Sequence, residues 1–346
     1  MKPNAVTCLL LIFCVMNLFF GCSQRKAAPL PELERAEAVM FDHPDSALRI
    51  LESMPMPADK EQHALWCLLV TQAKYKQYLP IPSDSLIRIA YDYYKPTDDA
   101  RRKAMAALYM GGVNYDLKNI EKATAYYLEA KDGLEKITDY KLGYLIMSEL
   151  AKLYLYRNLT DYALEVCKQA YAYAVKDESE EYEIASLKLL GRAYSIKSDL
   201  SKSIDYYNKA LKKCDSLRLN KEFYEIKGEL ALVYSAFHQW DKALSLEKEV
   251  ARYFPSAQSF YGIGVYYSNL QQYDSAYYYL TRALKTSNIY TKTGAYQSLL
   301  YLSRYPQYQK HMISFCDSLR FYEDSVQKLD KSKEIIAYQK NMTTKS

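Results

Sequence analysis

The chain has 346 residues, 49% of them hydrophobic, which is enough apolar side chain for a packed core and excludes a disordered protein. Its 10 glycines and 11 prolines argue against a turn-rich all-β fold and against a glycine-rich phosphate loop. The net charge of +5 is spread over 46 basic and 41 acidic residues without a block of like charges, so the pattern of a nucleic-acid-binding protein is missing. Tyrosine, with 37 residues, is strongly over-represented.

The first segment, residues 1–21, is predicted to be a secretion signal. Lys2 is followed by an apolar run from Cys8 to Phe20, which is too short for a transmembrane helix. The run ends at Gly21-Cys22 and resembles a lipobox, although Phe19 stands where leucine is usual. The alternative is an ordinary secretory signal with an incidental cysteine.

The lipobox resemblance implies cleavage before Cys22, palmitate-type lipid attachment to that cysteine and a tether over residues 22–30. Ser23 after the cysteine implies sorting to the outer membrane, with the mature chain facing the periplasm. Four cysteines lie downstream without a C-x-x-C pair, and we expect them to be buried, inert thiols. They are Cys67, Cys167, Cys214 and Cys316.

Internal repeats run through the rest of the chain. A small residue precedes an aromatic or aliphatic residue by four positions, and this pattern recurs at steps of 38, 38, 40, 40, 40 and 33 residues. Such regular steps indicate an array of repeated structural units. The small residues are Ala47, Ser85, Ala123, Ala163, Ser203, Ala243 and Ala276.

The segment before each small residue completes the unit. One copy reads LGRAYSIKSDLSKSIDYYNKALKKC and resembles the tetratricopeptide repeat (TPR), a helix–turn–helix of about 34 residues. The resemblance implies an all-α fold, a right-handed TPR-like α-solenoid of about seven helix pairs over residues 31–305. The longer steps predict extra turns in the helices. The signature residues of this copy are Leu190, Gly191, Tyr194, Ser203, Tyr207 and Ala210.

The recurring residue types have a physical reason. Small residues such as Gly191 and Ala210 are expected where two helices cross, because larger side chains would keep the backbones apart. Tyrosines such as Tyr207 are expected to fill the gap toward the next unit with their hydroxyl pointing outward. The residues ERAEAVMFDHPDSALRILES resemble the first repeat of extracytoplasmic TPR proteins of the Bacteroidetes, which include membrane sensor-regulators. This resemblance implies a binding array in the cell envelope.

A long C-terminal helix is predicted over residues 306–340, followed by a disordered tail over 341–346. Its apolar residues recur at steps of three and four, which is typical of a coiled-coil seam. Two interpretations stay open, a helix that caps the last repeat and a seam over 312–336 for a homodimer or a partner helix. The seam residues are Met312, Phe315, Leu319, Tyr322, Val326, Leu329 and Ile336.

No catalytic or metal-binding motif is found in the sequence. His43, His63, His238 and His311 are not paired at helical spacing, and the nucleophile-elbow, phosphate-loop and dinucleotide motifs are missing. We therefore predict a non-catalytic protein without cofactor or metal.

A ligand groove is predicted instead, as the TPR resemblance implies, along the first helix of each unit. Lys188 and Arg192 lie one helical turn apart, and Lys152 precedes Arg192 by one repeat, which makes a basic shelf suited to a carboxylate. Ordinary solubilising lysines and arginines are the alternative. The predicted groove residues are Tyr115, Lys152, Tyr156, Lys188, Arg192 and Tyr261.

Asp-Ser followed by Ala, Leu or Val recurs six times and resembles the O-glycosylation sequon of Bacteroidetes. Helix N-capping is the alternative explanation for three of the copies. The serines concerned are Ser46, Ser85, Ser216, Ser275, Ser318 and Ser325.

Three functions are consistent with the sequence. The first is a membrane-anchored scaffold that binds a protein or peptide partner in the envelope. The second is capture of a glycan or small ligand by a tyrosine-rich groove, which exposed tyrosines in one row would favour. The third is a truncated relative of the sensor-regulators that acts through its C-terminal helix.

Overall fold

The computed structural model describes the backbone of residues 30–343 and the side chains of residues 30–329. The predicted signal peptide and the lipid-attachment residue Cys22 therefore lie outside the described residues. Within residues 30–343 all regular secondary structure is helical, with sixteen α-helices and two short 3-10 turns. The predicted all-α class is confirmed for this part of the chain. The chain separates into two compact units, with the boundary between Pro80 and Ile81.

The described part of the first unit, residues 30–80, contains three helices. They are α1 (Pro31–Val39), α2 (Pro44–Ser53) and α3 (Lys60–Lys76). The Asp59 side chain accepts hydrogen bonds from the backbone N–H groups of Glu61 and Gln62, at 3.0 Å each, which satisfies two donors at the start of α3. Trp66 fixes α3 on α2, because its Nε1 donates to the Leu51 carbonyl at 2.9 Å.

The second unit contains thirteen helices. They are α4 (Ser85–Tyr94), α5 (Ala100–Asp116), α6 (Ile120–Gly133), α7 (Tyr140–Tyr156), α8 (Thr160–Lys176), α9 (Glu180–Ile196), α10 (Leu200–Ser216), α11 (Asn220–Ala236), α12 (Trp240–Tyr253), α13 (Ala257–Asn269), α14 (Tyr273–Ala283), α15 (Ile289–Leu302) and α16 (Met312–Thr343). From α5 onward each helix packs on its neighbours in chain order, and α5/α6, α7/α8, α9/α10, α11/α12 and α13/α14 are the helix pairs of successive repeats.

The length of the repeat comes from its helices. The five helices α7 to α11 each have 17 residues and are joined by three-residue turns. This confirms the prediction that the long steps lengthen the helices. The next repeats are shorter, since α12 has 14 residues and α13 has 13.

The turns share one backbone conformation. A residue with positive φ follows the first helix of each of five repeats, at Lys118, Asn158, Ser198, His238 and Gln271. A residue with positive φ also follows the second helix of two repeats, at Glu178 and Arg218. At Lys118 the amide donates to the Tyr115 carbonyl, and the next amide, of Asn119, donates to the Asn114 carbonyl at 2.8 Å. This is the Schellman arrangement, which pairs carbonyls that the helix end would leave unsatisfied.

Small residues lie where the helices of a pair cross, as predicted. A β-carbon placed on Gly191 would come within 2.7 Å of the Tyr207 ring, and one on Gly111 would clash with the Tyr127 ring. Tyr207 and Tyr127 are fully buried. Glycine is therefore needed at both crossings for the tyrosine ring to reach its place.

The C-terminal helix α16 packs on α15 along its first turns. The Phe315 and Tyr322 rings lie 6.3 and 5.6 Å from the Tyr296 ring. Two seam residues thus contact the chain's own last repeat, in line with the capping interpretation over this part of the helix. The helix was predicted over 306–340, and the structure has it over Met312–Thr343, after a 3-10 turn at Gln309–His311.

The cysteines divide into two groups. Cys67, Cys167 and Cys214 are buried, and burial raises the pKa of Cys67 to about 11 and that of Cys167 to about 12. The prediction of a buried thiol is wrong for Cys316, which is exposed on α16. It lies next to Phe315, and that residue takes the face that packs on α15.

Candidate ligand-binding groove

Three successive first helices, α7, α9 and α11, line a groove of about 430 Å³. Tyr207 of α10 reaches into it between α9 and α11. Its wall is largely aliphatic, and Leu232 and Ile196 keep 63% and 43% of their surface exposed there. Large apolar side chains exposed in one concavity are the usual feature of a site that buries apolar groups of a ligand.

The charged groups of the groove centre on Glu229. Arg192 donates two hydrogen bonds to its carboxylate, Nε to Oε2 at 2.8 Å and Nη2 to Oε1 at 2.6 Å. Lys188 Nζ lies 3.3 Å from Oε1, and the Tyr207 hydroxyl lies 3.2 Å from Oε2. Burial alone would raise the pKa of Glu229, but Arg192 and Lys188 outweigh it and hold the pKa below its ordinary value.

The predicted basic shelf is therefore partly neutralised. Lys188 and Arg192 share the carboxylate of Glu229, and Lys152 pairs with Glu149 at 2.7 Å. Sequence reasoning missed Glu229 because it lies 37 residues after Arg192, on the next repeat. The repeat period was a signal that could have found it. A step of 40 residues makes Glu229 of α11 the equivalent of Leu189 of α9, between Lys188 and Arg192 in sequence.

The three predicted tyrosines lie apart from this cluster. Tyr115 and Tyr156, on α5 and α7, form an edge-on pair with ring centroids 6.1 Å apart. Tyr261 packs against α15, since a β-carbon on Gly294 would come within 2.8 Å of its ring and hydroxyl. The structure thus brings Lys152, Lys188 and Arg192 to one groove and places Tyr261 at a helix contact.

A three-residue arrangement occurs twice, two repeats apart. Tyr127 lies on Gly111 with its hydroxyl 3.5 Å from Glu149, as Tyr207 lies on Gly191 with its hydroxyl 3.2 Å from Glu229. Each tyrosine therefore joins its own helix pair to the first helix of the next one. Both tyrosines fill the gap toward the next repeat, as predicted, but they are fully buried. The prediction of an outward hydroxyl is therefore wrong for them, since each hydroxyl lies on a carboxylate of the following repeat.

The serines of the predicted O-glycosylation sequons all keep some surface exposed. Of the six sequon serines, Ser85 and Ser216 are exposed and the others are partly exposed, so none of them is buried. Asp45 and Asp274 lie in the first turns of α2 and α14, but these helices have no side-chain cap, so the N-capping explanation is wrong for these two Asp-Ser copies. No helix within residues 30–343 is long and apolar enough to cross a membrane. Among the side chains of residues 30–329 no cluster of three or more potential metal ligands is found.

The fold resembles several solved structures. A signal-transduction ATPase with numerous domains and a TPR sensor, from Pyrococcus horikoshii, is 18% identical with a TM-score of 0.66, and the match covers 88% of this chain and 48% of that one. A Rap protein complexed with competence and sporulation factor is 13% identical with a TM-score of 0.60, covering 88% and 98%. NprR in complex with its cognate peptide NprX is 12% identical with a TM-score of 0.57, covering 91% and 98%.

At these identities the likeness concerns the fold, and together with the helix pairs it defines the chain as an all-α protein of the TPR-like α-solenoid class. The chain spans about half the length of the ATPase and nearly all of the Rap protein. The sequence matches no family model and no curated protein.

Proposed function

We propose that this chain is a non-catalytic, lipid-anchored scaffold of the bacterial cell envelope that binds a peptide segment of a partner. The observation that carries the proposal is the groove on α7, α9 and α11, where exposed Leu232 and Ile196 stand beside polar groups held in ion pairs. Apolar anchors with fixed polar neighbours suit an extended or helical peptide that inserts one or two aliphatic side chains. NprR, which is similar in fold, was solved with a peptide.

The cellular location in this proposal depends on the N-terminal sequence. The lipobox resemblance at Gly21-Cys22 supports a lipid anchor on Cys22, and Ser23 supports the outer membrane with the repeats facing the periplasm. Labelling of cells with a palmitate analogue should mark the wild type and leave Cys22→Ser unlabelled and unbound to membranes. A Cys22→Ser protein that still carries label and fractionates with membranes would contradict the anchor.

Selection from a random peptide library tests the groove. Peptides that bind the full-length protein should share aliphatic residues and should bind Leu232→Asp at least about tenfold more weakly, because a carboxylate would be desolvated beside the ligand. Leu159→Asp is the matched control, since Leu159 is also an exposed leucine but lies in the turn between α7 and α8, outside the groove lining. Selected peptides that bind Leu232→Asp as well as the wild type would overturn the assignment of the groove.

The glycan alternative has less support in the groove. Tyr207, the tyrosine that lines it, is only 1% exposed and is held by Gly191 and Glu229. A buried ring cannot stack on a sugar. The peptide function is therefore the one that the groove favours.

A further inference from the structure

We call three consecutive helices, such as α9, α10 and α11, a layer. The next layer, α11, α12 and α13, has the same arrangement of helices but different side chains. The left-handed turn residues Ser198, His238 and Gln271 fix the correspondence, which is 40 residues from α9 to α11 and 33 from α11 to α13. In the layer of α9, α10 and α11 the four interacting residues are Lys188, Arg192, Tyr207 and Glu229. The corresponding residues of α11, α12 and α13 are Gly228, Leu232, Glu247 and Gly262.

This exchange removes side-chain volume from the second layer. A β-carbon on Gly228 would have no atom within 4 Å, and one on Gly262 would meet Glu247 at 3.6 Å and Tyr266 at 3.9 Å without a clash. Two glycines thus replace a lysine and a glutamate, and a glutamate replaces a tyrosine. The second layer therefore has open space at Gly228, one helical turn before Leu232, which lines the groove, and no crowding at Gly262 beside Glu247; we call this space the recess.

The exchange also inverts the charge of the layer. The first layer has two cations and one carboxylate at these positions, whereas the second has one carboxylate alone, that of Glu247. This residue is only 8% exposed. Among the described residues no lysine or arginine forms an ion pair with Glu247, and the Ser259 hydroxyl is the group that stabilises its charged form. A carboxylate buried without a cation is energetically unfavourable, and a ligand that supplies the cation relieves this cost.

We infer that the recess formed by Gly228, Leu232, Glu247 and Gly262 binds a guanidinium or ammonium group, namely a basic side chain of the peptide bound in the groove. The preceding layer shows how such a group is held, since Arg192 places its guanidinium on Glu229 through two hydrogen bonds. The aliphatic stem of a ligand arginine or lysine would pack on Leu232 while its charge reaches Glu247. The inference rests on the proposed function for the identity of the ligand, but the recess can be tested without any peptide.

The test uses n-butylguanidinium and its neutral counterpart n-butylurea as probes of the full-length protein, with saturation-transfer NMR as the measurement. The guanidinium should bind the wild type at least about tenfold more tightly than the urea. Glu247→Gln should remove this preference. Glu249→Gln, on the same helix but partly exposed and paired with Lys227, should keep it.

A second variant separates loss of the site from loss of the fold. Gly228→Lys introduces the lysine of the preceding layer at a position with open space, so the protein's own ammonium should occupy the recess and exclude the probe while the protein stays folded. Equal binding of the two probes by the wild type, or an unchanged preference in Glu247→Gln, would overturn the inference. If the probe binds as expected but no library peptide depends on Leu232, the cation site stands and the peptide function fails.

Discussion

Tyr207 lies flat against Gly191, at the crossing of α9 and α10, so closely that a single methyl group at position 191 would come within 2.7 Å of the ring. The contact places the Tyr207 hydroxyl on Glu229 and so connects the packing of one repeat to the charge of the groove.

Gly191→Ala should destabilise the protein by about 1–3 kcal/mol, because the tyrosine ring or one of the helices must shift. Gly228→Ala is the matched control, since it is also a helical glycine but its β-carbon would enter open space. It should stabilise the protein by about 0.5–1 kcal/mol through helix propensity alone. Urea denaturation followed by circular dichroism measures both, and equal effects of the two alanines would show that the Tyr207 contact is not tight.

The left-handed turn residues lead to a second prediction. Lys118 and Arg218 have φ of 65° and 57°, a conformation that is unfavourable for residues with a β-carbon. Lys118→Gly and Arg218→Gly should each stabilise the protein by about 0.5–1 kcal/mol, and Lys118→Val should destabilise it. Asn158→Gly, at the corresponding turn, should raise the free energy of unfolding by only about 0.3 kcal/mol, because asparagine tolerates this conformation. Thermal unfolding measures the effect. Equal changes of melting temperature in all three glycine variants would show that the left-handed conformation costs lysine and arginine no more than asparagine.

Glu229 and Glu247 should give opposite dependences of stability on pH. The pKa of Glu229 is lowered by Arg192 and Lys188, so its stabilisation is present at neutral pH and is lost as the pH falls through its folded-state pKa. The pKa of Glu247 is raised by burial, so its contribution is most favourable in acid and is lost as the pH rises through its folded-state pKa.

Glu229→Gln should therefore lower the unfolding free energy at pH 7, by about 1 kcal/mol for a partly exposed bidentate pair, and Glu247→Gln should raise it. The Glu247 difference should shrink as the pH falls toward about 4, near the ordinary pKa of glutamate, whereas the Glu229 difference should shrink only as the pH falls below it. Urea titrations at several pH values provide the measurement. Parallel pH curves for the two variants would show that the two carboxyl groups lie in similar surroundings.

The cysteines give a prediction that mass spectrometry can check. In the native protein, maleimide should modify Cys316 within minutes, while Cys67, Cys167 and Cys214 should react only after denaturation, since burial hides them and raises their pKa. Peptide mapping distinguishes the four sites. Rapid modification of Cys167 in the folded protein would mean that α8 opens locally far more often than its packing indicates.

Much of the fold could be predicted from the sequence because the repeat makes each position recur. The step of 40 residues implied helices longer than usual for a TPR, and the small residues at positions such as 191 and 210 implied close crossings. The groove was harder to predict. Lys188 and Arg192 were recognisable on one helix, but their partner Glu229 is on another, and a pattern read along one helix does not show contacts between repeats.

The turn residues were also hidden. Lysine, serine, arginine and glutamine at positions 118, 198, 218 and 271 have no composition typical of a left-handed turn, for which glycine or asparagine is the usual signal. The stacking of the repeats imposes that conformation despite the local preference. The exposure of Cys316 could not be predicted either, because it depends on which face of α16 packs on α15, and Phe315 takes that face.

The six helices from α7 to α12 begin at residues 140, 160, 180, 200, 220 and 240, a spacing of twenty residues between starts. A duplication or deletion of forty consecutive residues inside this stretch would rejoin equivalent positions of equivalent helices, with the turn and the stacking surfaces intact. The number of repeats can therefore change in evolution, or by design, without new packing solutions. Binding chemistry then varies from one layer to the next through four side chains, while the scaffold around them stays the same.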